Sequence, residues 1–98
     1  MPIPLTEAAR LRVERLFRPE EVPAVVELLE HQCGELLPLW RGKTPAEFDR
    51  VRFAALKVSA GDLEALRRAV EMARTDWRDL LVAAGFAHDS EEHRRWNP

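Results

Sequence analysis

Three groups of residues have the types and spacing to do chemistry. Glu27, His31 and Glu35 recur at four-residue intervals. On a helix they would share one face and offer two carboxylates and an imidazole to a cation. Gly34 interrupts that run, and the spacing is not the His-Glu-x-x-His arrangement of a helical zinc site, so a hydrated helix surface is the simpler reading. His88 and His93, with Asp89 and Glu92, form a looser cluster near the C-terminus. A fold could bring both imidazoles to one divalent metal, which makes His88, His93 and Glu92 the candidate ligands and a small metal-dependent hydrolase one alternative function. In the competing reading Trp96 pins this tail to the body and leaves the histidines exposed. Cys33 is the only cysteine. It could act as a nucleophile if His31 or His93 served as its base, yet it continues the Val26–Leu29 stripe and reads as core. Asp76 and Asp79 could form an acid–base pair, but capping and the positive end of a helix explain both without a substrate.

Two further groups could bind rather than react. Arg50, Arg52, Lys57, Arg67, Arg68, Arg74 and Arg78 could form a phosphate-binding face if adjacent helices aligned them, and all of these but Lys57 make up the candidate nucleic-acid patch. The segments Leu63–Ala73 and Trp77–Ala84 superficially resemble a helix-turn-helix. The second begins Asp76-Trp77-Arg78-Asp79, where two aspartates would repel phosphate. Leu36, Leu37, Leu39 and Trp40 cluster after a break and form the candidate protein interface. Capping one end of a bundle is their alternative role.

The elements that must position these residues are helical. Ninety-eight residues suit one domain, and 46% apolar with 33% charged residues argues against disorder. Tyrosine is absent, and apolar residues recur at three- and four-residue spacing. Residues 1–49 hold six basic and nine acidic side chains, and residues 50–98 hold nine and eight. Neither half is basic enough to mark a nucleic-acid domain. A lone cysteine requires no oxidising compartment. The N-terminus lacks a basic region followed by an apolar run, and no stretch approaches the ~20 apolar residues of a membrane span. The expected location is cytoplasmic.

Thr6 can cap a first helix carrying Leu11, Val13, Leu16 and Phe17. Pro19 marks the start of a second, with Pro23 in its first turn or in a turn before it; Val22, Val25, Val26, Leu29 and Cys33 form one face. Thr44-Pro45-Ala46-Glu47 is a capping box with proline at the first helical position, and Phe48–Val58 is apolar on more than one side. Ser59 or Asp62 caps the next helix, Thr75-Asp76 restarts the chain, and Gly85 ends the following segment. Asp89 or Ser90 begins a last turn. Leu16, Phe17, Val26, Leu29, Phe53, Leu56, Leu66, Val70, Trp77, Leu80 and Leu81 are the expected core.

The expected fold is all-α, a compact bundle of four main helices plus one or two short helical turns. It forms a single domain over residues 1–98, with the tail from about 87 free to fray. No cofactor is implied. The expected function is a non-catalytic protein-interaction or regulatory module, homodimeric in one form, with an Arg-dependent nucleic-acid-binding regulator as the other alternative.

Overall fold

Each long helix begins where the chain supplies a group for its free backbone N–H donors or a proline that needs none. Thr6 accepts from the Ala9 amide and opens α1, Glu7–Leu16. Pro23 sits in the first turn of α2, Val22–Gln32. Pro19 lies ahead of it in a turn, so of the two prolines it is Pro23 that belongs to the helix. The Thr44–Glu47 capping box opens α3, Pro45–Ser59, with the Glu47 carboxylate accepting from the Thr44 amide at 2.9 Å. Asp62 accepts from Glu64 and Ala65 and opens α4, Leu63–Ala84. Ser59 instead donates its hydroxyl to the Leu56 carbonyl. A short α5, Glu92–Arg95, follows. The computed structural model describes residues 2–34, 37 and 44–98. These residues form an all-α bundle of four major helices with short helical turns and contain no strand.

α4 is not straight. Asp76 has φ −155° and ψ 96° in the middle of a 22-residue helix. These angles are extended, and its carboxylate accepts from the Arg78 amide at 3.1 Å, so Asp76 caps the second half as an N-terminal residue would. A straight helix of this length would span about 33 Å. Yet Leu63 begins four residues after α3 ends, and Ala84 accepts from Lys57 in the last turn of α3 at 2.8 Å. Both ends of α4 therefore lie near the C-terminal end of α3, and the bend at Asp76 returns the second half along α3. Gly85 (φ +80°) then ends the helix in a left-handed conformation, and the Phe86 amide donates to the Leu81 carbonyl at 2.9 Å. This is the favoured glycine termination, and it turns Phe86 inward.

α3 is the centre of the bundle. Phe48, Val51, Phe53, Ala54, Ala55 and Leu56 are all buried, and its most extensive packing is against α4. Leu66, Ala69, Val70, Ala73, Leu80, Leu81 and Ala84 of α4 cover one side, and Ala9 and Val13 of α1 with Val25 and Leu29 of α2 complete the core. Leu16, Val26 and Trp77, expected in the core, are half-buried at its margin. Among the described residues no helix is long and apolar enough to cross a membrane.

Candidate functional site

The polar groups of α3 are gathered at two places. The first is Arg52. Its position within the apolar run of α3 turns it inward, and it is fully buried. The guanidinium donates through Nε to the Cys33 carbonyl (2.9 Å), through Nη1 to Pro4 (3.0 Å) and through Nη2 to Ile3 (2.7 Å). The Ile3 amide donates to the Glu30 carbonyl (3.0 Å), and the Leu5 amide donates to the Glu30 carboxylate (3.1 Å). The N-terminal arm is thus fastened to α2 on one side and α3 on the other. Gly34 permits that approach: a Cβ there would lie 3.0 Å from the Ile3 side chain and 3.3 Å from Arg52 Nη2. Burial pulls the Arg52 pKa down, with the Cys33, Asp49 and Glu30 groups opposing; a guanidinium stays charged regardless.

The second is the junction of α1, α3 and α5. His93 is 5% exposed, its ring centroid 5.4 Å from that of Phe53 and 6.4 Å from that of Phe86. Trp96 packs at a tilt against the same two rings, with centroids at 6.3 and 6.5 Å. Arg12 lies over Phe53 at 4.1 Å and donates to the Trp96 carbonyl at 3.1 Å. Lys57 lies over Phe86 at 4.9 Å. Arg50 donates through Nη2 to the Phe86 carbonyl at 2.8 Å. Two buried atoms here, His93 Nδ1 and Arg50 Nε, have no hydrogen-bond partner among the described residues. Burial holds the His93 imidazole below its ordinary pKa; Arg94, Arg50 and Arg12 act in the same direction and Glu91 against it. Asp49 accepts the Thr6 hydroxyl at 2.8 Å. Burial raises its carboxyl above the usual range, opposed by that hydrogen bond and by Arg52, Arg12 and Arg94.

The residues singled out by sequence are dispersed. His88 is exposed while His93 faces inward, so the expectation that Trp96 would leave both histidines in water is corrected for His93. Glu92 pairs with Arg95 at 2.6 Å. Among the described residues no three His, Cys, Asp or Glu side chains converge as a metal site. His31 and Glu27 are exposed, and Glu35 lies outside the described residues. Cys33 is fully buried, and burial pushes its thiol up to about 12 despite nearby Arg52. It stays protonated near neutrality and is no nucleophile there. Asp76 caps the α4 bend, and Asp79 is exposed.

The six arginines of the candidate nucleic-acid patch divide. Arg52 is sealed in the interior, which corrects its placement on an exposed face, and Arg50 is committed to the Phe86 carbonyl. Arg67 and Arg74 approach Glu64 and Glu71 at 3.9 and 3.5 Å. Arg68 is exposed, and Arg78 lies over Trp77 at 5.5 Å. The α4 cations alternate with acids rather than forming one positive stripe. Of the candidate interface, Leu37 is buried at 2% exposure, and Leu36, Leu39 and Trp40 lie outside the described residues.

Apolar spacing alone does not reveal the interior positions of Arg52 and His93. A signal existed for each. Arg52 lies between Val51 and Phe53 on a helix apolar on several sides, and His93 shares a helical face with Trp96 three residues on. Neither a family model, nor a curated protein, nor a solved structure matches the chain.

Proposed function

We propose that the chain is a non-catalytic interaction module that acts by surface docking, self-association included. The observation that carries this reading is the use to which the reactive groups are put. The Cys33 thiol is buried in the core, and the Arg52 guanidinium and the His93 imidazole are buried where they hold elements together. What faces solvent instead includes apolar side chains: Val82 at 66% exposure, Leu11 at 42% and Met72 at 41%. Val82 projects from the second half of α4, where the neighbouring apolar positions Leu80 and Leu81 are buried. In this reading Val82, the most exposed of the three, is a point at which an isologous contact with a second copy would form. The Leu36–Trp40 segment supplies the other candidate face on its sequence pattern.

Sedimentation velocity across a wide concentration range tests the reading, with Val82→Asp and Trp40→Asp alongside. The expected result is a reversible dimer that one of the two substitutions weakens about tenfold or more. A monomer at every concentration rules out self-association. Turnover of an ester or phosphoester that His93→Gln abolishes would overturn the non-catalytic reading itself.

A further inference from the structure

The C-terminal segment packs on α3 and is bonded by arginines of α1, and its one buried polar residue is a histidine. We propose that residues 92–96 form an acid-released strap: protonation of the His93 imidazole, seated against Phe53 and Phe86 among the cations of α1 and α3, drives the segment off these helices.

The argument begins with the surroundings of the ring. From α1 it faces Arg12, from α3 Arg50, and from its own helix Arg94 and Glu91. The two phenyl rings that flank it already carry cations, Arg12 over Phe53 and Lys57 over Phe86. The negative face of an aromatic ring can hold a cation, but these rings are engaged, so an imidazolium would add another positive charge to a crowded group. Two acids temper this. Glu91 is committed to Arg94 at 2.6 Å. Asp49 accepts the Thr6 hydroxyl and is in electrostatic contact with Arg12 and Arg94.

The hydrogen-bond inventory points the same way. Among the described residues buried His93 Nδ1 has no acceptor to receive a proton, and the orphaned neighbour at this junction, Arg50 Nε, is itself a donor. A neutral imidazole tolerates that setting with a bare lone pair on Nδ1. An imidazolium carries N–H on both nitrogens and would leave a buried charged donor unanswered, which is costly. Release lets His93 reach water.

The strap can move without taking the bundle with it. It is a helix of only four residues. Its polar ties to α1 are the Arg12 bonds to the Trp96 and Arg94 carbonyls and the contact between Arg15 and the Asn97 side chain. Segments held by so few groups occupy the low-stability end of a fold.

The sign follows from linkage. The undocked imidazole binds a proton with its ordinary affinity, near pH 6.5, and the docked one binds more weakly. Docking is fully favourable above that value. It weakens by up to about tenfold per pH unit as the pH falls below it, and levels off once the docked ring itself is charged.

The test is an NMR titration of the full chain from about pH 8 to about pH 5, following the His93 ring, the Trp96 indole N–H and the amides of α5 and α3. The expected result is that α5 amides and the Trp96 indole move toward disordered-chain positions together, below pH 6.5, while the α3 core amides hold. In His93→Phe, which keeps an aromatic ring and removes the proton site, the strap stays docked throughout. Charging of His93 with α5 still docked would overturn the proposal, as would release with the same midpoint in His93→Phe. If that variant folds poorly, the wild-type titration decides alone, because it reads ring and strap in one sample.

Discussion

Two terminal segments are fastened to α3, and the fasteners differ in kind. The N-terminal arm is held by Arg52, whose three donating nitrogens each find a backbone carbonyl. The C-terminal segment is held by His93, whose buried Nδ1 finds no partner among the described residues. A guanidinium keeps its charge at every physiological pH, whereas an imidazole changes charge within that range. One fold thus carries a permanent pin on the central helix, Arg52, and a conditional one packed against it, His93 of α5. Burial of a polar group has opposite consequences according to whether its hydrogen bonds are satisfied.

The most severe way to break the comparison is to remove the permanent pin. Arg52→Met preserves much of the side-chain volume but leaves the Ile3, Pro4 and Cys33 carbonyls without their donor. The expected loss is about 3 kcal/mol in urea denaturation, because unsatisfied buried acceptors forfeit their full desolvation cost. Arg52→Lys should recover only part of it, since an ammonium cannot reproduce the fork. The equivalent removal at the other end, His93→Ala, is expected to cost about 1–2 kcal/mol, with hydrogen exchange accelerating in α5 far more than in α3. Equal losses from the two sites, or uniform acceleration over the whole chain, would erase the distinction between a cooperative pin and a local one.

The caps provide a third, smaller step. Thr6→Ala removes the acceptor for the Ala9 amide and the hydroxyl that donates to Asp49. It should cost about 1 kcal/mol by thermal or chemical denaturation. Capping was also the most legible part of the sequence. Thr6, Thr44 with Pro45 and Glu47, Asp62 and Gly85 all act where the local pattern puts them, because each effect is settled within three or four residues. The restart at Thr75-Asp76 was legible for the same reason, but its consequence was not. That the bend brings Ala84 back to Lys57 depends on packing between segments more than twenty residues apart. The candidate site was less legible still. A pattern of apolar spacing assigns arginine and histidine to the surface, and only the tertiary position of Ile3, Pro4, Phe53 and Phe86 makes Arg52 and His93 interior groups. For the same reason spacing alone could not separate Arg52, which is buried, from the arginines of α4, of which Arg67, Arg68 and Arg78 are exposed.

The finest test concerns Asp49 of α3, which interacts electrostatically with Arg52 and with Arg12 and Arg94, two of the cations that surround His93. Its carboxyl is held above the usual range chiefly by burial, with Thr6 and the neighbouring arginines opposing. The folded protein therefore binds a proton at Asp49 more readily than the unfolded chain does. Its contribution to stability is greatest when protonated and declines as the pH rises through the interval from the ordinary aspartate value to the raised one. His93 contributes with the reverse slope at higher pH, since its depressed pKa makes stability fall with acidification below about 6.5. Asp49→Asn keeps an acceptor for the Thr6 hydroxyl and abolishes the titration. Because Asp49 is half-exposed, solvent screening limits the gain at neutral pH to a few tenths of a kcal/mol. The decisive readout is the difference between wild type and variant as a function of pH. It should shrink on acidification through the aspartate range and be flat across the histidine range. A difference that instead changes near pH 6.5 would mean that Asp49 and His93 titrate as one coupled unit, and that the two ends of the chain are less independent than their separate fasteners imply.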